Sequence, residues 1–241
     1  MKLIKERILF MKIHGFNKLT LLDYPEHTGA VLFLGHCNFR CPFCQNSALV
    51  LNPDQEPVLC VDDIFSFLQK RRGILEGGCI SGGEPTLSPD LGDLVSKIKS
   101  MGYLVKLDTN GSRPDVIKTL VESHLIDYVA MDIKSSKERY PVVSGCASVP
   151  MEAVEESIDF LLRCAIPYEF RTTIVKELHR EEDFFSISDW ISGCNQYFLQ
   201  SYKDSDGVLV SGFHSCTSEE LHRYLSIVRK KIPHAQLRGI E

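Results

Sequence analysis

Six short runs rich in β-branched and aromatic residues are spaced along the chain, and a stretch of helical periodicity separates each from the next. The runs are TGAVLFLG from Thr28, GGCISGG from Gly77, YLVKLDTNG from Tyr103, IDYVAMDIK from Ile126, YEFRTTIV from Tyr168 and NQYFLQSY from Asn195. Between the first two, VDDIFSFLQKRR sets Ile64, Phe65 and Leu68 on one face behind Asp62 or Asp63 as the expected cap. Helices are likewise expected at LGDLVSKIKSMG, PDVIKTLVES, MEAVEESIDFLLRC, FFSISDWISG and, behind a serine cap, SEELHRYLSIVRKK. Such alternation calls for an α/β fold of parallel strands with right-handed crossovers, closed as a barrel or left as a doubly wound open sheet. The earlier segment KIHGFNKLTLLDYPEH reads as a hairpin or an added edge strand. No linker or change of composition divides the chain, so residues 12–241 are expected to form a single core domain after an N-terminal extension, 1–11, with Met11 as an alternative start.

Composition narrows the chemistry. With 241 residues, 44% hydrophobic, 24% charged and a net charge of −5, the chain is that of an ordinary globular protein. The acidic balance and the lack of a basic run argue against nucleic acid. No run approaches the ~20 apolar residues of a membrane span, and MKLIKERILFMK lacks the apolar stretch of a signal peptide, so a cytoplasmic location is expected. Nine cysteines are then expected to stay reduced. Only three have ligand spacing: Cys37, Cys41 and Cys44 in GHCNFRCPFCQN, a C-x3-C-x2-C run. A structural zinc would want a fourth ligand, and His36 and Cys60 are poorly spaced for it. An iron–sulfur cluster takes one thiolate per iron, so a four-iron cluster on three cysteines leaves an iron to bind something else.

The motifs fall at the ends of the expected strands. The cysteine run follows the first, Gly82-Gly83-Glu84-Pro85 the second, and Asp108-Thr109-Asn110-Gly111 the third. Asp132-Ile133-Lys134 ends the fourth, Arg171 lies within the fifth, and Gln200 with Tyr202 closes the sixth. In a parallel sheet these are the carboxyl ends, where open-sheet and barrel enzymes place their sites. Charged groups ending apolar strands point to a polar ligand there.

Taken in this order, GFNKLTLLDYPEHTGAVLFLGHCNFRCPFCQN, ISGGEPTL and KLDTNG resemble the radical S-adenosylmethionine (SAM) superfamily from about residue 12 onward, and within it the activating enzymes of glycyl radical enzymes, in particular that of anaerobic ribonucleoside-triphosphate reductase. The resemblance implies a partial (β/α)6 barrel. It implies a 4Fe-4S cluster on Cys37, Cys41 and Cys44 whose open iron binds the amino and carboxylate groups of SAM. Gly82, Gly83 and Glu84 would meet the ammonium, or Glu84 would fix the local turn, and Phe43 would meet adenine. Asp108, Thr109, Asp132 and Lys134 would surround ribose and carboxylate, with Arg171 a further carboxylate ligand, and the two aspartates could seat a monovalent cation. Asp108 and Asn110 could instead make a loop turn, and Arg171 a structural ion pair.

The implied reaction is reductive cleavage of SAM to a 5′-deoxyadenosyl radical, which takes hydrogen from a glycine of a partner, with flavodoxin, ferredoxin or another donor supplying the electron. Where some activating enzymes carry a histidine after the sixth strand, this chain has Tyr202 and Lys203, and it lacks an inserted cysteine-rich segment for further clusters. Two other readings stay open: a radical SAM enzyme for another peptide, nucleoside or small molecule, and a zinc-binding or redox α/β protein.

Overall fold

Gly29 and Gly77 begin two neighbouring parallel strands, and each is glycine because something packs against its Cα. A Cβ on Gly77 would stand 2.6 Å from the ring of buried Tyr24, and one on Gly29 would stand 3.0 Å from the Gly77 carbonyl. The computed structural model describes residues 11–240, in two compact units. The first comprises 11–37, Ala48–Thr109 and Asp115–Val129; the second comprises Asn38–Ser47, Asn110–Pro114 and 130–240. Residues 1–10 of the expected extension lie outside the described residues.

In the first unit, β1 (Ile13–Thr20) pairs antiparallel with β2 (Gly29–Leu34), the added edge strand that the sequence predicts. A five-residue helix, α1 (Ser47–Leu51), and the longer α2 (Val61–Lys70) carry the chain to β3 (Gly77–Gly82). The β2–β3 ladder is parallel from Gly29–Gly77 to Leu34–Gly82. Through α3 (Leu91–Ser100) the chain reaches β4 (Leu104–Thr109), parallel to β3 from Gly77–Leu104 to Ile80–Leu107. Helix α2 buries Val61, Ile64 and Leu68, and α3 buries Leu91, Leu94, Val95 and Ile98, the spacing that turns one apolar stripe inward. After α4 (Pro114–Glu122), opened by proline, Asp127 accepts from Lys99 Nζ at 2.7 Å and from the Val105 amide at 2.7 Å.

Strand β5 (Tyr128–Asp132) contributes its first two residues to the first unit and the rest to the second. The second unit continues with α5 (Tyr140–Ser144), α6 (Met151–Arg163), β6 (Tyr168–Ile174), α7 (Glu181–Trp190), β7 (Tyr197–Ser201), α8 (Ser218–Val228) and β8 (Gln236–Arg238). Strands β6, β7 and β8 are parallel. Phe184 of α7 stacks on Tyr224 of α8 with centroids 4.4 Å apart. Arg238 lies 3.6 Å over the Phe198 ring and grips buried Glu169 at 2.9 and 3.1 Å.

The expected α/β class, with parallel strands and an added N-terminal edge, is what the structure shows. Several details differ. The cap of α2 is Cys60, with no side-chain bond, while Asp62 and Asp63 sit inside the first turn, where the helix dipole favours them. Helix α8 is capped by Thr217 rather than Ser218, because Thr217 and Glu220 bond each other's amides reciprocally. Helix α7 starts at Glu181, three residues before the expected Phe184. The elements α1, α5 and β8 are too short to show a period.

Candidate active site

In the first unit the glycine-rich turn is built by backbone contact. Gly82 has φ +120°, a conformation that side chains rarely adopt, and a Cβ on it would lie 2.1 Å from the Leu34 carbonyl. A Cβ on Gly83 would lie 1.9 Å from the His36 carbonyl. That closeness lets the Gly83 amide donate to Leu34 at 2.8 Å and the Glu84 amide donate to His36 at 2.7 Å. The His36 amide in turn donates to Leu49 at 2.8 Å. The turn thus fixes the backbone of the residue before Cys37.

Glu84 is almost fully buried, and its Oε1 accepts from the Thr86 amide at 3.1 Å, from Thr86 Oγ1 and from Thr109 Oγ1 at 2.8 Å. The carboxylate therefore ties the end of β3 to the end of β4. Beside it, Asp108 Oδ2 accepts from Ser81 Oγ at 3.0 Å, and Oδ1 accepts from Lys106 Nζ at 2.5 Å. Lys106 and Asp108 are two apart on one strand and share a face. Lys106 is 1% exposed, which is exceptional for lysine and is possible here because it is paired.

In the second unit the cysteine loop is held by backbone bonds from distant segments. The Arg40 amide donates to Ser144 at 2.9 Å, and a Cβ on Gly145 would stand 1.9 Å from the Arg40 carbonyl. Leu209 donates to the Cys44 carbonyl at 3.0 Å, Val210 to Pro42 at 2.8 Å and Ser47 to Gly207 at 3.3 Å. Gln45 Nε2 donates to the Lys203 carbonyl at 2.6 Å. The Cys44 amide closes a turn on Cys41 at 2.9 Å. Cys41 and Phe43 are buried, and Phe39 meets Tyr140 edge-on at 6.3 Å.

The same unit gathers Asp132, Lys134 and Arg171. Arg171 Nε donates to Asp132 Oδ1 at 2.8 Å and Lys134 Nζ to Oδ2 at 3.0 Å. Burial works to raise the Asp132 pKa, but Arg171 and Lys134 overcome it and hold the carboxyl well below the usual range. Burial likewise works against the Lys134 charge, yet the Asp132 carboxylate, with Cys41 and Tyr140 in their ionised forms, keeps its pKa above that of an ordinary lysine. His179, buried and held neutral by that burial, takes the Val175 amide on Nδ1 at 3.1 Å, so its Nε2 donates to the Lys134 carbonyl at 2.8 Å.

Each unit thus collects part of the expected set: Gly82, Gly83, Glu84, Asp108 and Thr109 in the first, and Cys41, Asp132, Lys134 and Arg171 in the second, with Phe43 and Cys44 on the same loop as Cys41. Cys37 belongs to the first unit. Asn110 makes a loop turn, accepting from the Ser112 amide at 2.9 Å and donating to Asn38 at 2.9 Å. Sequence reasoning passed over Ser81, Lys106, Tyr140, His179 and the 207–210 segment. Lys106, two residues before Asp108 in an apolar strand, was the one legible signal. None of the nine cysteines is in a disulfide, and Cys60 is exposed. Among the described residues no group of three or more His, Cys, Asp or Glu is gathered as a metal site. The donor chemistry nonetheless fits an iron–sulfur cluster: three thiols within eight residues, one of them, Cys41, buried and within electrostatic reach of Lys134.

Comparisons with known proteins agree with this chemistry. A Methanocaldococcus jannaschii protein that bears the name of a glycyl-radical enzyme activating enzyme is 33% identical over 198 residues, 80% of this chain and 81% of the relative. Two solved structures share the fold. A domain of pyruvate-formate lyase-activating enzyme from Bacteroides vulgatus has a TM-score of 0.56 at 19% identity, covering 68% of this chain and 99% of that one. Streptococcus suis SuiB, solved with S-adenosylmethionine bound, has a TM-score of 0.68 at 15% identity, covering 88% of this chain and 52% of that one. Residues 31–185 match the family described as the Radical SAM superfamily. The chain belongs to that superfamily, whose members are enzymes that use a 4Fe-4S cluster and S-adenosylmethionine.

Proposed function

We propose that this protein is a glycyl-radical-enzyme activating enzyme and that its partner is anaerobic ribonucleoside-triphosphate reductase. The observation that carries the reading is the 33% identity to the M. jannaschii relative across 80% of this chain. When bound, a reduced 4Fe-4S cluster and SAM would supply one-electron cleavage of the sulfonium C–S bond to methionine and a 5′-deoxyadenosyl radical, which would take a hydrogen atom from a glycine Cα of the partner and become 5′-deoxyadenosine, leaving the glycyl radical.

In this reading Cys37, Cys41 and Cys44 ligate three irons. The working domain in this reading is 12–241. Gly82 and Gly83 offer backbone to the SAM ammonium, and Glu84 keeps that turn in shape through Thr86 and Thr109. Lys134 and Arg171, held as cations around Asp132, supply positive charge for the methionyl carboxylate. Asp108, Thr109 and Asp132 face the ribose, and Phe43 meets adenine. The donor of the electron is a flavodoxin or ferredoxin, and the setting is the cytoplasm, where thiols stay reduced.

The test is electron paramagnetic resonance of the reduced, reconstituted protein mixed with SAM and the host's anaerobic reductase. A glycyl doublet is expected. Cleavage of SAM without that doublet would sink the reductase as partner and favour another peptide, nucleoside or small molecule.

A further inference from the structure

The resemblance to activating enzymes leaves room for a monovalent cation at the aspartates. The structure does not fit one at Asp108. Both oxygens of this carboxylate are engaged by the chain's own donors, Ser81 Oγ at 3.0 Å and Lys106 Nζ at 2.5 Å. The lysine side chain is 2% exposed, so its charge is committed to this pair rather than shared with water. Asp132 is similarly taken, by Arg171 on one oxygen and Lys134 on the other. An added cation beside Asp108 would meet an ammonium already in contact with the same carboxylate, and like charges in a poorly solvated place repel. Taking the lysine away removes this ammonium from Asp108 Oδ1, and a small cation is a replacement of the same charge.

We propose that Lys106 is the resident cation of this site: its ammonium holds, beside Asp108, the place a monovalent ion would otherwise take. Binding of SAM is then independent of sodium or potassium. This rests on the proposed SAM site for its functional consequence, whereas occupancy of Asp108 can be measured without SAM.

The experiment uses the cluster-reconstituted protein, its Lys106→Met variant, which keeps an unbranched chain without the charge, and Asp108→Asn in each. Sodium-23 relaxation, titrated with potassium, reports bound sodium directly. The parent is expected to show no potassium-displaceable site that Asp108→Asn removes, and Lys106→Met is expected to gain one that the added Asp108→Asn abolishes. In parallel, exchanging potassium for N-methyl-D-glucamine at constant ionic strength should change the parent's SAM dissociation constant by less than about twofold, and that of Lys106→Met by about tenfold or more. A saturable sodium site in the parent that is lost in Asp108→Asn overturns the proposal, and so does a folded Lys106→Met that gains no site. Should Lys106→Met fail to fold, the parent and its Asp108→Asn variant still decide by the first criterion. Failure of the parent to bind SAM in any salt counts against the SAM site alone and leaves the sodium result to judge Lys106.

Discussion

Replacing Gly83 by alanine should be among the costliest single-methyl additions in the chain. The new Cβ would stand 1.9 Å from the His36 carbonyl, and reaching an ordinary contact near 3.4 Å requires the two backbones to part by about 1.5 Å. No flexible side chain can absorb this, since the obstacle is main chain. Overpacking of this kind costs about 1–3 kcal/mol. The displacement also breaks or weakens Gly83 to Leu34 and Glu84 to His36, two backbone bonds at 2.8 and 2.7 Å. At about 1 kcal/mol each, these bring the total to roughly 3–5 kcal/mol. For a chain of this size that lowers the melting temperature by about 10 °C. Thermal unfolding of the apo protein measures it, with Gly92→Ala as control. Gly92 lies in α3 with nothing within 4 Å of an added methyl, so alanine there should stabilise slightly, by about 0.5–1 kcal/mol. Because His36 precedes Cys37, iron content after reconstitution should fall in Gly83→Ala as well. A melting temperature within a degree of the parent would refute the reasoning.

Cys41→Ala should abolish cluster binding, and retention of full iron and sulfide would remove Cys41 from the ligand set. Arg238→Met deprives Glu169, 1% exposed, of its bidentate partner and should destabilise by about 3 kcal/mol, seen as an earlier denaturant midpoint; an unchanged midpoint would show that β8 contributes nothing. Burial pushes the Cys194 thiol up to about 12 and the Cys216 thiol up to about 11, so a haloacetamide at pH 8.5 should label exposed Cys60 first and leave those two unmodified until the protein unfolds; peptide mass spectrometry reads the order, and early labelling of Cys194 would contradict its burial.

The parallel strands were legible because their apolar runs are continuous and bounded by glycines, and the helices because Ile64 with Leu68, or Leu94 with Ile98, repeat at helical spacing. Motifs were legible wherever they follow a strand. What escaped are features made by distant partners. Nothing local in KDSDGVLV announces that its backbone bonds to the cysteine loop, and three-residue β8 carries no period at all. Glycine roles were also hidden: Gly82 and Gly83 look like room for a ligand, yet the Leu34 and His36 carbonyls already require them. Lys106 was visible as an oddity in an apolar strand, but its meaning needed the 2.5 Å contact to Asp108.

The bond from Gln45 to Lys203 spans 158 positions, and the strap at 207–210 lies just beyond it. During synthesis at about 5–20 residues per second, the cysteine loop leaves the ribosome about 8 to 30 s before the segment that fastens it. Its thiols spend that interval on an unfastened chain, open to oxygen and to stray metals. The fastened form of the loop therefore does not exist until the segment 203–210 has been made and has folded against it.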